Sequence, residues 1–251
     1  MGILKYINIK APKSMNDLRI EHLQALTNPK FTTGELDLND IIEFLSVLTS
    51  GTINELKKVN ISELKDIYVH CIGLFENYKV TEPEKEIEML GKKYELVDPK
   101  KVGVGWHIDV SNSDMQANPA RLVALMYIEK GTNYGDLDAN GNMIYSNQER
   151  EKIFKQHLPL PIYLNVVSFF FATINRINRE LYGEPKEDET KVDKKSSRYT
   201  WEKVIHFLSK EYNTSWEDIV KWNVYKFNHR LNFINFEKQQ EIKTINRGSR
   251  S

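Results

Sequence analysis

The chain has 251 residues, 40% hydrophobic and 28% charged, which is material for one large domain or two small ones and too apolar for a disordered chain. Lys and Arg number 35 and so do Asp and Glu, so there is no basic surplus of the kind that phosphate binding draws on, and the balance argues against a nucleic-acid partner. The single cysteine, Cys71, excludes an intramolecular disulfide and a multi-Cys metal site. Within the apolar run Ile67 to Ile72 it reads as a small buried side chain.

Met1 to Lys5 lacks the apolar run of a signal peptide, and Gly2 is followed at residue 6 by Tyr6 where a myristoylation site needs Ser or Thr. The longest apolar stretch, Leu158 to Thr173, is interrupted by Pro159, Pro161 and Asn165 and is not expected to span a bilayer. These features predict a protein of the cytoplasm with no membrane partner.

Ile3, Lys5, Ile7 and Ile9 alternate with their neighbours as in a short strand or extended arm, stopped by Pro12. Ser14 or Asn16 caps a predicted helix through Leu18, Ile20, Leu23 and Leu26, ended by Asn28-Pro29. A second helix starts at Asn39, with Ile41, Ile42, Phe44, Leu45 and Leu48 on one face and Ser50-Gly51 closing it. A third starts at Ser62 and carries Leu64, Ile67, Cys71, Leu74 and Phe75 at helical spacing. From Glu86 to Val97 the period changes to two on both sides of Gly91-Lys92, which predicts a β-hairpin.

Gly103 to Val110 reads as a tight connection leading into a short helix. Asn118-Pro119 opens a helix through Leu122, Val123, Leu125, Met126 and Ile128, closed by Gly131. A polar loop follows, and Ser146 with Glu149 forms a capping box for the next helix. Residues 161 to 181, with Val166, Val167, Phe169, Phe170 and Phe171, predict a long central helix. Residues 184 to 198 are charged and without core side chains, hence a solvated linker. One helix then carries Trp201, Val204, Ile205 and Leu208. Another starts at Thr214 or Ser215 and runs through Trp216, Ile219, Val220, Asn223, Phe227, Leu231 and Ile234 to a polar tail. The expected fold is mainly α (α+β). A multi-helix domain with one hairpin spans residues 1–183, and a helical unit spans residues 199–251 beyond the linker.

Two sequence patterns could carry a metal. His107-Ile108-Asp109 has the spacing that opens a two-His-one-carboxylate iron site. Its distal His is missing, since His157, the candidate at a sensible separation, stands just before Pro159 and Pro161. Asp136, Asp138, Asn140 and Gly141 match the first half of a calcium loop, but position twelve is Asn147 and no closing acid stands there. Gly-x-Ser-x-Gly, His-Glu-x-x-His and phosphate-loop motifs do not occur. We therefore nominate no catalytic, metal or cofactor residues, with a metal-dependent enzyme using His107 and Asp109, or a nucleic-acid-associated protein, as the alternatives. The aromatics of the C-terminal region suggest another use. Trp201, Trp216, Trp222, Tyr225, Phe233 and Phe236 are candidate partner-binding residues, because aromatic side chains anchor interfaces. Trp222, Tyr225, Phe233 and Phe236 lie off the main helical stripe, and a fully buried helix is the competing reading.

Several segments taken in order resemble one group of proteins. They are Gly91 to Leu96, Gly105-Trp106-His107-Ile108-Asp109, Asn118 to Gly131 with Tyr134-Gly135, Leu158-Pro159, Phe169-Phe170-Phe171, and Trp216 to Glu241. Together they resemble tail and virion assembly proteins of tailed bacteriophages, similar to tail assembly chaperones, over residues 85 to 245. The shared motifs are hydrophobic and Gly signatures, so no site residue carries over. The resemblance implies a non-enzymatic protein whose partners are other phage proteins: the tape-measure protein, a tail or neck component, or a second copy of itself. It implies action in the host cytoplasm during assembly, with the virion as the alternative location.

Overall fold

Short polar side chains start three of the helices by accepting backbone N–H groups that a helix end leaves without partners. In the computed structural model, which describes residues 9–23, 31, 36–111, 113, 118–133, 148–182 and 197–248, Asp37 accepts from the Asp40 N–H at 2.9 Å and opens α1, Leu38–Leu48. Thr52 and Glu55 form a capping box on α2, Ile53–Leu56, which the hydrophobic spacing did not reveal. Asn60 accepts from the Ser62 N–H at 2.9 Å and opens α3, Ile61–Glu76. Ile42, Phe44, Leu45, Leu48, Leu64 and Cys71 enter the main core.

The helix expected from Ser14 or Asn16 does not form over residues 14–22, and helical backbone is reached only at Leu23. Two 3₁₀ turns, Met15–Asp17 and Ile20–His22, stand there instead, joined by extended backbone at Leu18. Leu18 and Ile20 are both buried. A helix would place residues two apart about 200° around its axis, whereas an extended link keeps both inward. Arg19 bridges Pro159, and the Leu160 N–H donates to the Leu18 carbonyl at 2.9 Å. Of the N-terminal arm, residues 9–12 join no ladder; Lys10 and Ser50 tie them down through two hydrogen bonds.

The hairpin comprises β1, Glu86–Met89, and β2, Lys92–Leu96, with Ile87 opposite Tyr94 and Met89 opposite Lys92. The turn is Leu90-Gly91, one residue earlier than expected, with φ of 50° and 76°. Two consecutive left-handed residues make the turn whose twist suits a two-residue hairpin. Ile87, Met89 and Tyr94 face the core; Glu86, Lys93, Glu95 and Lys130 form an ion-pair mesh on the opposite face.

Helix α4 is Val104–Ser111. The helix expected from Asn118 to Gly131 stops early: α5 is Pro119–Met126, and the chain passes directly into β3, Tyr127–Glu129, antiparallel to β2. Tyr127 and Ile128 favour a pleated surface. The change of conformation lets the Val97 N–H reach the Met126 carbonyl at 2.7 Å and the Lys130 N–H reach that of Lys93 at 2.9 Å.

Helix α6, Gln148–His157, lays Phe154 edge-on against Tyr94 and buries Arg150, whose guanidinium donates to the Ala124 carbonyl at 2.9 Å. Ser146, the cap expected for it, lies outside the described residues. Helix α7, Leu160–Tyr182, buries one stripe: Leu160, Tyr163, Val166, Phe170, Thr173 and Ile177. Pro159 precedes it and Pro161 sits in its first turn, where proline is tolerated, so neither interrupts it. By length and composition Leu160–Leu181 could cross a membrane. Its Asn165, however, is held by Tyr78 and Thr81 in a hydrogen-bonded knot, and Phe171 is 44% exposed.

The charged residues 183–196 lie outside the described set. Helix α8, Ser197–Tyr212, begins two residues inside the expected linker. The continuous helix expected from Thr214 or Ser215 is divided into α9, Trp216–Val220, and α10, Val224–Gly248. At the break the Val104 N–H donates to the Trp222 carbonyl at 2.7 Å, Gly103 bridges Asn223, and Asn223 caps α10 through the Lys226 N–H. A second hydrophobic cluster forms from Ile205, Leu208, Ile219, Phe227 and Ile234 together with Val104 of α4.

A Cβ on Gly103 would lie 2.4 Å from the Val220 carbonyl oxygen, while one on Gly73, inside α3, meets nothing nearer than 3.8 Å. Urea denaturation should therefore separate two alanine variants. Gly103→Ala is expected to destabilise by about 1–3 kcal/mol through overpacking, and Gly73→Ala to stabilise by up to about 1 kcal/mol through helix propensity.

Candidate partner-binding surface

Phe227 and Ile234, seven residues apart along α10, are buried in the second cluster with Leu231 packed at its edge, and Val224 one turn before Phe227 is buried as well. At about 100° per residue, Phe233 and Phe236 fall on the side of the helix turned away from that stripe. They are 49% and 59% exposed. Three residues apart on a helix, they are neighbours on one surface. Trp216 opens α9, 40% exposed, with its ring 5.9 Å from that of His206. It belongs to a different element from the phenylalanine pair.

The other three aromatic candidates serve the fold. Trp201 packs on the second cluster, 5.8 Å from the Phe227 ring. Trp222 lies edge-on to Tyr212 at 5.8 Å, and the Lys226 ammonium stands 4.5 Å above its ring. Tyr225 donates its hydroxyl to the Glu180 carboxylate, which also receives Lys100 at 3.0 Å. That trio links the loop before α4, the end of α7 and the start of α10. The hydrogen bonds from Tyr225 and Lys100 hold the Glu180 carboxyl below its ordinary range, and Glu180 in turn raises Lys100. Sequence spacing could not make this division, because Trp222 meets Tyr212 across the turn between α8 and α9, and Tyr225 meets Glu180 and Lys100, distant in the chain. The outward positions of Val69 and Phe171 were also not foreseen; each fitted an apolar helical run in the sequence.

His107 is buried, with one ring nitrogen 3.0 Å from the Pro99 carbonyl and its ring 5.0 Å from Trp106. Burial lowers its pKa below the usual 6.5. His107 and Asp109 are two apart on a helix, and such residues do not face each other; the same spacing on a strand would put them on one side. Among the described residues no three His, Cys, Asp or Glu side chains gather where they could hold a metal ion. The loop of Asp136 to Gly141 lies outside the described residues.

No protein-family model, curated protein or solved structure matches this chain. The candidate surface consequently rests on its own geometry: two outward phenylalanines on a helix anchored by its opposite face.

Two measurements follow from this geometry. In urea denaturation Trp201→Ala should cost about 2–3 kcal/mol, while Phe236→Ala should change stability by no more than about 0.5 kcal/mol. Acid sensitivity should trace to the buried imidazole. His107 binds its proton less well when folded, so it favours unfolding as pH falls below 6.5. The urea midpoint should drop between pH 7.5 and pH 5.5, and His107→Gln should flatten that drop; His22, lowered by the same cause, supplies a residual slope.

Proposed function

We propose that this protein acts without catalysis in bacteriophage tail or virion assembly, holding another phage protein through the outward face of α10. The observation that carries the proposal is the exposed pair Phe233 and Phe236 on a helix whose opposite stripe is already buried. Large exposed aromatic side chains on a rigid element are the groups that anchor protein interfaces. A chaperone of a long amphipathic helix needs such apolar anchors and no reacting centre. The order of motifs from Gly91 to Glu241, which resembles tail assembly proteins, points to the tape-measure protein or a tail or neck component as partner, with action in the host cytoplasm. The balanced charge, 35 against 35, favours protein over nucleic acid.

The test is co-expression of the tagged chain with the tape-measure, tail-tube and neck proteins of one phage, followed by affinity purification. One of them should co-purify with the unaltered chain and be lost from Phe233→Ser/Phe236→Ser, while Trp216→Ser gives a smaller loss. Failure of all of them to co-purify, or recovery unaffected by the double substitution, overturns the proposal.

A further inference from the structure

A groove of about 340 Å³ lies beside β1. One wall is the strand, the other the junction of α6 and α7 with His157, Pro159 and Ile162. In the sheet order β1-β2-β3, β1 has a neighbour on one side only among the described residues. Its backbone polarity follows from the register. Met89 and Lys92 close a two-residue turn and Ile87 faces Tyr94, while the Leu96 N–H donates to the Lys85 carbonyl at 2.9 Å. Hydrogen-bonded pairs alternate along an antiparallel ladder, so residues 85, 87 and 89 point their amides at β2. Glu86 and Glu88 point theirs away from β2, and among the described residues no backbone group takes them up.

The two sides of this edge differ in chemistry. Ile87 and Met89 point to the core side, toward Pro159 and Ile162. Glu84, Glu86 and Glu88 alternate with them and line the solvent side. Glu86 is engaged by Lys93 and Lys130; Glu84 and Glu88 enter no ion pair among the described residues.

We propose that the β1 edge is a peptide-docking site that takes an extended segment of another protein as a fourth strand, one alternating apolar and Lys or Arg side chains. The added strand would complete the amides of Glu86 and Glu88. Its apolar residues would lie against Pro159 and Ile162, and its basic residues beside Glu84 and Glu88. A second copy of this chain is the wrong occupant, since pairing β1 with itself would oppose glutamates to glutamates. The site lies on the sheet and stands independently of the α10 face.

The probe is a fluorescein-labelled peptide, Lys-Val-Lys-Ile-Lys-Val-Lys, titrated against the full chain by fluorescence anisotropy. Its counterpart with Glu in place of Lys, and two versions N-methylated at alternate amides in opposite registers, serve as comparisons. Saturable binding of the basic peptide is expected, with no binding of the acidic one and binding of only one methylated register, because only one set of amides faces the edge. Hydrogen exchange at the Glu86 and Glu88 amides should slow on binding. Glu84→Lys/Glu88→Lys should weaken binding by about tenfold or more; if that variant does not fold, the methylated peptides on the unaltered chain decide. The absence of binding, equal binding of both registers or of the acidic peptide, or unchanged exchange at Glu86 and Glu88 overturns the proposal. So does protection of those amides that rises with protein concentration alone, which would assign the edge to self-pairing.

Discussion

Trp106 donates its indole N–H to the Leu125 carbonyl at 2.9 Å, in a setting where neither group meets water. A buried donor left without an acceptor costs about 1–3 kcal/mol, so this bond fixes the rotation of α4 about its own axis. With that rotation set, Trp106 and Val110 face the main core, while Val104 and Ile108 face the second cluster. One eight-residue helix thus serves two hydrophobic clusters. The approach of Gly103 to Val220, the bond from Val104 to Trp222 and the division between α9 and α10 all follow from where α4 is held.

Much of this architecture was legible in the sequence, and the errors share a cause. The helices around Phe44, Leu64 and Ile205, the hairpin at 86–97, and the mainly helical class with a small sheet followed from local period and capping chemistry. The misreadings fell where a distant segment competed with local preference. Residues 14–22 lost their helix to the bridge between Arg19 and Pro159. Tyr127 to Glu129 left the helix because β2 offered a ladder. Lys221 to Asn223 broke the last helix because Gly103 and Val104 bond there. In each case the deciding partner lies dozens of residues away or more, beyond any window of periodicity.

The same limit divided the aromatic residues. Phe233 and Phe236 could be placed off the buried stripe by counting turns, and they are outward. Trp222 and Tyr225 were placed off it by the same count, but they meet Tyr212, Glu180 and Lys100 there. Helical phase tells which way a side chain points; it does not tell what waits on that side. His107 illustrates the converse. Its spacing from Asp109 suits a strand, and the helix that forms around Trp106 turns the two apart.

The junction of α5 and β3 has a consequence of another kind. Met126 ends the helix and Tyr127 begins the strand, with no turn between them. Such a joint has no slack. One added residue there would rotate every side chain of α5 by about 100° or flip β3 to its other face. The hairpin turn at Leu90-Gly91 is different, since a Cβ added at its glycine would meet nothing within 4 Å. Changes in chain length during the history of this fold should therefore have collected at the hairpin tip, and the helix-to-strand joint should have kept its length.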